Sequence, residues 1–81
     1  MKKKKLLQKI LTAPNNIRFI EVVTCVESFG FELDRVSGSH HIFTHPATPE
    51  LLNLQNVKGK AKSYQIKQFL ILIEKHNLQM E

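Results

Sequence analysis

The spacing of apolar residues changes twice along the chain, from a helical period to alternation and then back to a helical period. Residues on one face of a helix recur every three or four positions, whereas residues on one face of a strand recur every second position. The pattern therefore predicts two helices, three strands and a final helix, in that order. This order is typical of an α+β fold in which helices cover one face of a three-stranded antiparallel sheet and leave the other face open.

The first predicted helix covers residues 3–12 and ends before Pro14. Its apolar residues recur at helical spacing with lysines on the opposite side, and they are Leu6, Leu7, Ile10 and Leu11. A helix of about three turns is only marginally stable alone, so we expect it to dock on the rest of the protein or on a partner. We assign residues 1–14 to this basic amphipathic helix and residues 15–81 to the main domain.

Two further helices are predicted on either side of the strands. The earlier one is capped by Asn15 or Asn16 and ends at Gly30, because glycine is a common residue just after a helix. Its apolar stripe consists of Phe19, Val22, Val23 and Val26. The last helix is expected to start after an N-cap at Ser63. Its apolar stripe consists of Tyr64, Ile66, Phe69, Leu70 and Ile73.

The stretch Arg35–Pro46 contains three of the four histidines, directly after a Ser-Gly-Ser turn. Alternating residues on both sides of this turn predict a hairpin of two strands, over residues 31–36 and 40–44. Strand periodicity sends His40, Ile42 and Thr44 to one face of the hairpin. The residues sent to the other face are His41, Phe43 and His45.

Two registers of this hairpin are compatible with the sequence. A three-residue loop at 37–39 pairs Val36 with His40, which places His40 on the open face together with Val36 and Ile42. A two-residue Ser-Gly loop pairs Arg35 with His40 instead and places His40 on the apolar face. We favour the first register, because two-residue hairpin loops prefer Asn-Gly, or Gly in first position, over Ser-Gly. The core residues that this register brings together are Phe31, Leu33 and Phe43.

A third strand is predicted over residues 51–55, after a turn that contains Pro46 and Pro49. Residues 56–62 are interpreted as a flexible basic connection to the last helix. This connection completes the predicted order of elements. We expect a functional site on the open face of the sheet.

The net charge of +5 is distributed unevenly along the 81 residues. Five lysines lie within the first nine residues, and the remainder has seven basic and seven acidic residues. No acidic residue lies between Glu50 and Glu74. That stretch contains four lysines, Lys58, Lys60, Lys62 and Lys67. A basic stretch near a histidine suits a polyanion such as the phosphates of RNA.

Cys25 is the single cysteine, so neither a disulfide framework nor a cysteine-based zinc site is expected. Its place in an apolar helical pattern predicts a small core residue. The lysine-rich start imitates the charged region of a signal peptide, but Gln8 and Lys9 interrupt the apolar run that follows. No stretch is long and apolar enough to span a membrane, and we expect a cytoplasmic protein.

The histidine cluster permits some chemistries better than others. Because His40 and His41 point to opposite faces of a strand, a metal site is not expected. A serine hydrolase built on Ser39 is not expected either, since no Gly-x-Ser-x-Gly turn is present. RNA cleavage needs less, because one imidazole can take the proton from a ribose 2′-hydroxyl that then attacks the adjacent phosphate. His40 is the candidate general base or acid, and nearby cations would stabilise the phosphate charge.

Several of these residues together resemble a known family. They are Gly30-Phe31, Arg35, the Gly38-Ser39-His40 turn, Phe43, and a basic turn with Gly59 before a C-terminal helix. Over roughly residues 16–78 the chain is similar to the HicA family, the messenger-RNA-cleaving toxins of type II toxin–antitoxin pairs.

The resemblance implies a fold like that of double-stranded-RNA-binding domains. The order predicted from the sequence is α-α-β-β-β-α, and its N-terminal helix at residues 3–12 is an addition that the family does not explain. The resemblance also implies a metal-independent ribonuclease without a cofactor, and a HicB-type antitoxin as partner besides messenger RNA. The essential histidine of the family corresponds to His40. Ser39 and the four lysines of residues 58–67 are then candidate RNA contacts, and Val36 and Ile42 are candidate antitoxin contacts. The alternative is a catalytically inactive module of the same fold that binds RNA or the antitoxin.

Overall fold

The computed structural model describes residues 2–12 and 17–81. These residues form three helices and four strands, in the order α1 (Lys2–Thr12), α2 (Phe19–Ser28), β1 (Glu32–Ser37), β2 (His40–His45), β3 (Thr48–Val57), β4 (Lys60–Ala61) and α3 (Ser63–Lys75). The predicted α+β class with an antiparallel sheet and helices is confirmed. Within the described ranges, no helix combines the length and the apolar character needed to cross a membrane.

The sheet has four strands in the part of the chain that the structure describes, in the order β1-β2-β3-β4, and not the predicted three. β3 is longer than predicted, and a tight turn of Lys58 and Gly59 returns the chain so that β4 pairs with the end of β3. Both turn residues have positive φ, 52° and 84°, which is the requirement of a two-residue type I′ hairpin turn. The prediction of a flexible connection over residues 56–62 is therefore wrong.

The hairpin between β1 and β2 has a loop that neither predicted register contains. Its two loop residues are Gly38 and Ser39, and Ser37 pairs directly with His40. Gly38 occupies the first loop position with a φ of 60°, a conformation that favours glycine. Both predicted loops are wrong, although the rule that glycine is preferred in the first position applies to the observed loop.

A β-bulge at Asp34 shifts the register of β1 against β2. Beyond the bulge Val36 lies opposite His41, so it faces the helical side of the sheet, where 52% of its surface is exposed. Ile42 remains on the open face with His40, since both alternate with residues that face the core. The prediction that Val36 lies beside Ile42 on the open face is therefore wrong.

The core lies between one face of the sheet and the helices. Its largest fully buried side chains include Phe31, Phe43, Leu52, Leu54, Ile66, Phe69, Val22 and Val26. Cys25 is buried as predicted, and burial raises the pKa of its thiol to about 11. Two predicted core residues are exposed instead. Leu33 is 47% exposed because β1 is an edge strand, and Tyr64 is 62% exposed in the first turn of α3.

The helix ends differ in detail from the predicted caps. α2 starts at Phe19 with Arg18 at the cap position, and the predicted caps Asn15 and Asn16 lie outside the described residues. α3 starts at Ser63 itself, with Lys62 in the cap position. Gly30 follows the end of α2 with a φ of 91°, so the predicted end of this helix is confirmed.

α1 docks on α2. Ile10 is 1% exposed and belongs to the core, whereas Leu11, the next residue, is 58% exposed. The ammonium group of Lys9 lies 3.1 Å from the carboxylate of Glu21 on α2, and this contact contributes to a lowered pKa of Glu21. The expectation that the first helix packs on the rest of the protein is confirmed.

Candidate active site

His40 lies at the start of β2, on the face of the sheet opposite the helices. Its neighbour His41 points to the helical side, where its ring centre lies 4.8 Å from that of Phe19 on α2. Because successive side chains of a strand point to opposite faces, His40 points to the open face. The Nδ1 atom of His40 lies 3.2 Å from Oδ1 of Asn53 on β3. A neutral ring that donates from Nδ1 carries its lone pair on Nε2, which is the state that a general base needs. Asn53 can therefore orient His40 for proton transfer.

The loop before His40 is held against β3 by two hydrogen bonds. The side-chain amide of Gln55 donates to Oγ of Ser39 at 3.3 Å, and the backbone N–H of Asn56 donates to the carbonyl of Ser39 at 2.9 Å. Gln55 is also the residue directly opposite His40 in the sheet. Ser39 thus fixes the position of the loop, and its hydroxyl lies within a polar group of side chains on the open face.

Arg35 joins this face because of the bulge. It lies opposite Ile42 in the β1–β2 pairing, and residues opposite one another in an antiparallel pair share a face. Its guanidinium is largely exposed, with a weak ion pair of 3.9 Å to Asp34. The favoured register placed Arg35 on the other side of the sheet, so its contribution to the site was missed.

Asn53 and Gln55 were also missed, although the sequence contains a signal for them. They alternate with Leu52 and Leu54, which are fully buried, so one side of β3 is apolar and the other side carries amides. Two amides on the exposed face of a central strand are unusual, since asparagine is depleted in strands. Such a pattern could have marked the polar face that surrounds His40.

The other two histidines of the hairpin have structural contacts. His41 packs on Phe19, and Nδ1 of His45 accepts a hydrogen bond from the backbone N–H of Ala47 at 2.9 Å. The other ring nitrogen of His45 then donates to the carbonyl of Phe29, also at 2.9 Å. Among residues 2–12 and 17–81, no group of three histidine, cysteine or acidic side chains is arranged to hold a metal ion.

Three of the four candidate RNA-binding lysines lie on the segment that follows β3. Lys58 forms the β3–β4 turn, Lys60 lies in β4, and Lys62 precedes α3. Asn56 connects this turn to the loop of His40, because its N–H bonds to Ser39 while its side chain accepts from the N–H of Gly59 at 2.8 Å. At about 3.3 Å per residue, the turn starts roughly 10 Å along β3 from the row of His40.

The N-termini of two helices lie close to the same turn. The backbone N–H of Phe19, the first residue of α2, donates to the carbonyl of Gly59 at 2.8 Å, and α3 begins directly after Lys62. Helix N-termini carry partial positive charge, which adds to the charge of the lysines. Lys67 lies in the second turn of α3, on its exposed side. The arrangement favours a polyanion at this end of the sheet.

A comparison with protein families agrees with the sequence pattern. The model of the family described as the HicA toxin of bacterial toxin-antitoxin matches residues 20–74, which is more than half of the chain. This range includes the hairpin of His40, the polar side of β3 and the basic turn. The chain has no match among the curated proteins or among the solved structures.

Proposed function

The chain belongs to the HicA family of toxins from bacterial toxin–antitoxin systems, and on that premise we propose that it is a metal-independent endoribonuclease that cleaves messenger RNA with His40. The single observation that carries this proposal is the hydrogen bond between His40 and Asn53 on the open face of the sheet. It holds one imidazole in a fixed orientation, at a surface that an RNA strand can reach without entering a deep pocket.

The proposed reaction uses the nucleophile of the substrate. Nε2 of His40 accepts the proton of a ribose 2′-hydroxyl, and the oxygen attacks the adjacent phosphorus. The bond from phosphorus to the 5′-oxygen of the next nucleotide breaks, and that oxygen takes up a proton. The products are a 2′,3′-cyclic phosphate and a 5′-hydroxyl end. Arg35, on the same face, is suited to stabilise the charge on the oxygens of this phosphate. Lys58, Lys60 and Lys62, on the segment that starts roughly 10 Å along β3, are suited to neighbouring phosphates of the same strand.

Expression in a bacterial host tests this function. We expect the parent chain to inhibit growth and His40→Ala to lose the inhibition, because general base catalysis contributes on the order of a hundredfold or more to the rate. Thr44→Ala is the matched control, since it truncates a side chain on the same face of β2. If His40→Ala accumulates as a folded protein and still inhibits growth, His40 is not essential. RNA binding without cleavage by the parent chain would support the inactive module instead.

The family membership implies an antitoxin partner, and we propose a HicB-type protein that covers the open face and buries His40 and Ile42. A toxin that cuts messenger RNA acts in the cytoplasm, where this partner would be made beside it. The order of the elements in residues 19–75, α-β-β-β-β-α with a very short fourth strand, supports the double-stranded-RNA-binding-like fold that the family implies.

The two faces of the β1–β2 hairpin provide a matched test of this interface. Ile42→Glu places a charge on the open face and should weaken the complex, because the contact would bury an unpaired carboxylate. Val36→Glu adds the same charge on the helical side, where Val36 is half exposed, and should leave binding unchanged. Co-purification with the antitoxin and the melting temperature of each free variant measure the two effects. Equal binding by both variants would place the antitoxin on another surface.

A further inference from the structure

A shallow pocket of about 200 Å³ lies between β3 and α3. Its lining residues are Leu51, Asn53, Tyr64, Gln65 and Gln68. Asn53 belongs to both sites, because its Oδ1 atom lies 3.2 Å from Nδ1 of His40. We propose that this pocket holds one base of a single-stranded RNA, next to the phosphate at His40, and that Tyr64 is the surface on which the base stacks.

Tyr64 has an unusual environment for an aromatic side chain. It is 62% exposed, and Leu51 across the pocket is 54% exposed. Gln65 links the ring to β3, since its Nε2 makes a long contact of 3.5 Å with the Tyr64 hydroxyl while its Oε1 accepts from the N–H of Gln55 at 2.6 Å. Gln55 is the residue opposite His40 in the sheet. A flat base between Tyr64 and Leu51 would cover both apolar surfaces.

The polar groups around the ring match a nucleotide. Asn53 and Gln68 supply amides, which can donate to and accept from the edge of a base. The ammonium group of Lys62 lies 5.9 Å from the centre of the Tyr64 ring, so a cation for the phosphate is next to the stacking surface. Proteins that bind single strands combine aromatic platforms with basic residues in this way.

This inference rests on the proposed function, because it takes RNA as the ligand of the face that carries His40. It goes beyond that function in assigning a base-binding subsite, and with it a means by which the enzyme selects single-stranded over paired RNA. A paired base is stacked within its own helix and cannot enter a pocket on α3.

The fluorescence of the protein provides a direct test. Tyr64 is the single tyrosine, and the chain has no tryptophan, so tyrosine emission reports on this side chain alone. The full chain with His40→Ala, which leaves the RNA intact, is titrated with a short single-stranded oligoribonucleotide of mixed sequence and with an abasic oligomer of the same length. Free N-acetyltyrosinamide corrects for absorption by the RNA. We expect the RNA to quench the emission and the abasic oligomer, which carries the same phosphates, to leave it unchanged.

Variants of Tyr64 give the second measurement, of affinity in the same His40→Ala background. Tyr64→Ala should weaken binding of the RNA by about tenfold and leave binding of the abasic oligomer unchanged, whereas Tyr64→Phe, which keeps the ring, should bind RNA like the parent. Because Tyr64 is exposed, neither change should affect folding.

Several results would overturn the subsite. One is equal quenching of tyrosine emission by the RNA and the abasic oligomer, and another is equal RNA affinity of Tyr64→Ala and the parent. A third is the absence of RNA binding. A Tyr64→Ala variant that binds RNA normally but no longer forms the antitoxin complex would show that the pocket is a protein contact. Failure of the proposed function gives a different pattern. If Tyr64 is quenched by RNA while the parent chain cuts no RNA, the subsite stands and the catalytic role of His40 does not.

Discussion

Hydrogen bonding separates the histidines of the hairpin more sharply than their positions in the sequence do. In His45, Nδ1 accepts a hydrogen bond from the backbone N–H of Ala47, and Nε2 donates to the backbone carbonyl of Phe29. A single neutral tautomer satisfies both ring nitrogens. His40 bonds to a side chain, Asn53, on the open face. A ring that must accept and release a proton needs one nitrogen oriented and the other available to the substrate. His41 also has one bonded nitrogen, since its Nδ1 lies 3.3 Å from the carbonyl of Ser39, but its ring packs against Phe19 on the helical side of the sheet. His40 is therefore the hairpin histidine that combines an oriented ring with a place on the open face.

The carboxylate of Glu50 accepts hydrogen bonds from three side chains. Hydrogen bonds from Lys75, Thr48 and His76 lower the pKa of Glu50 from 4.5 to about 2. A carboxyl group with a lower pKa in the folded state stabilises the fold above its ordinary pKa, and this contribution is lost as the pH falls from about 4.5 towards 2. We therefore expect Glu50→Gln to lower the free energy of unfolding at pH 6, and its difference from the parent to shrink as the pH falls to 3.

Urea unfolding at several pH values measures this difference. Glu74→Gln is the control for the loss of one carboxylate from the surface of the same end of the protein, since Glu74 is exposed on α3. A deficit of Glu50→Gln that is the same at pH 6 and pH 3 would contradict the assignment of the contacts to the ionised carboxylate.

The docking of helix α1 can be tested with two adjacent residues. Ile10 and Leu11 are adjacent and apolar, but Ile10 is buried in the core and Leu11 faces solvent. We expect Ile10→Ala to lower the free energy of unfolding by about 2–5 kcal/mol, the usual cost of truncating a buried large aliphatic residue. Leu11→Ala is the matched control and should change it by less than about 0.5 kcal/mol. Equal effects of the two changes, in chemical denaturation, would mean that α1 does not stay docked in solution.

The helices could be predicted from the sequence more completely than the pairing of the strands. Helical periodicity over ten or more residues identified all the described helices, because an amphipathic stripe of that length is compatible with few other structures. The strand pairing was less predictable. The observed loop of Gly38 and Ser39 and the bulge at Asp34 shift the register, and the shift moves Val36 and Arg35 to the opposite faces. A single residue changes the face of every later side chain in a strand, and no local pattern fixes a bulge.

The lysines after β3 and the candidate site around His40 lie at the same end of the sheet. The basic turn, the starts of α2 and α3 and the loop of His40 are joined by the contacts of Gly59 and Asn56. His40 and the lysines could be named from the sequence, because histidine and lysine clusters are visible in one dimension. The alternation in β3 marks Asn53 and Gln55 as a polar face, but only the sheet pairing shows that they lie beside His40. The place of Arg35 could not be predicted, since a bulge decides which face it takes.

The basic turn gives a prediction for RNA binding in the His40→Ala background. We expect the affinity for single-stranded RNA to fall steeply with salt, and Lys58→Gln, Lys60→Gln and Lys62→Gln together to reduce the log-log slope by about 2, since each phosphate contact contributes about 0.7. Lys3→Gln, Lys4→Gln and Lys5→Gln together remove the same charge from the N-terminal helix and should leave the slope nearly unchanged. Equal changes in the two triple variants would indicate that only the net charge matters.

The proposed metal-independent cleavage by His40 is tested most directly by incubating a purified RNA with the parent chain and with His40→Ala in the presence of EDTA. We expect the parent to produce fragments with 2′,3′-cyclic phosphate and 5′-hydroxyl ends, and His40→Ala, with an unchanged circular dichroism spectrum, to be at least about a hundredfold slower. Cleavage by folded His40→Ala at the rate of the parent, or fragments with 5′-phosphate ends, would contradict the role assigned to His40.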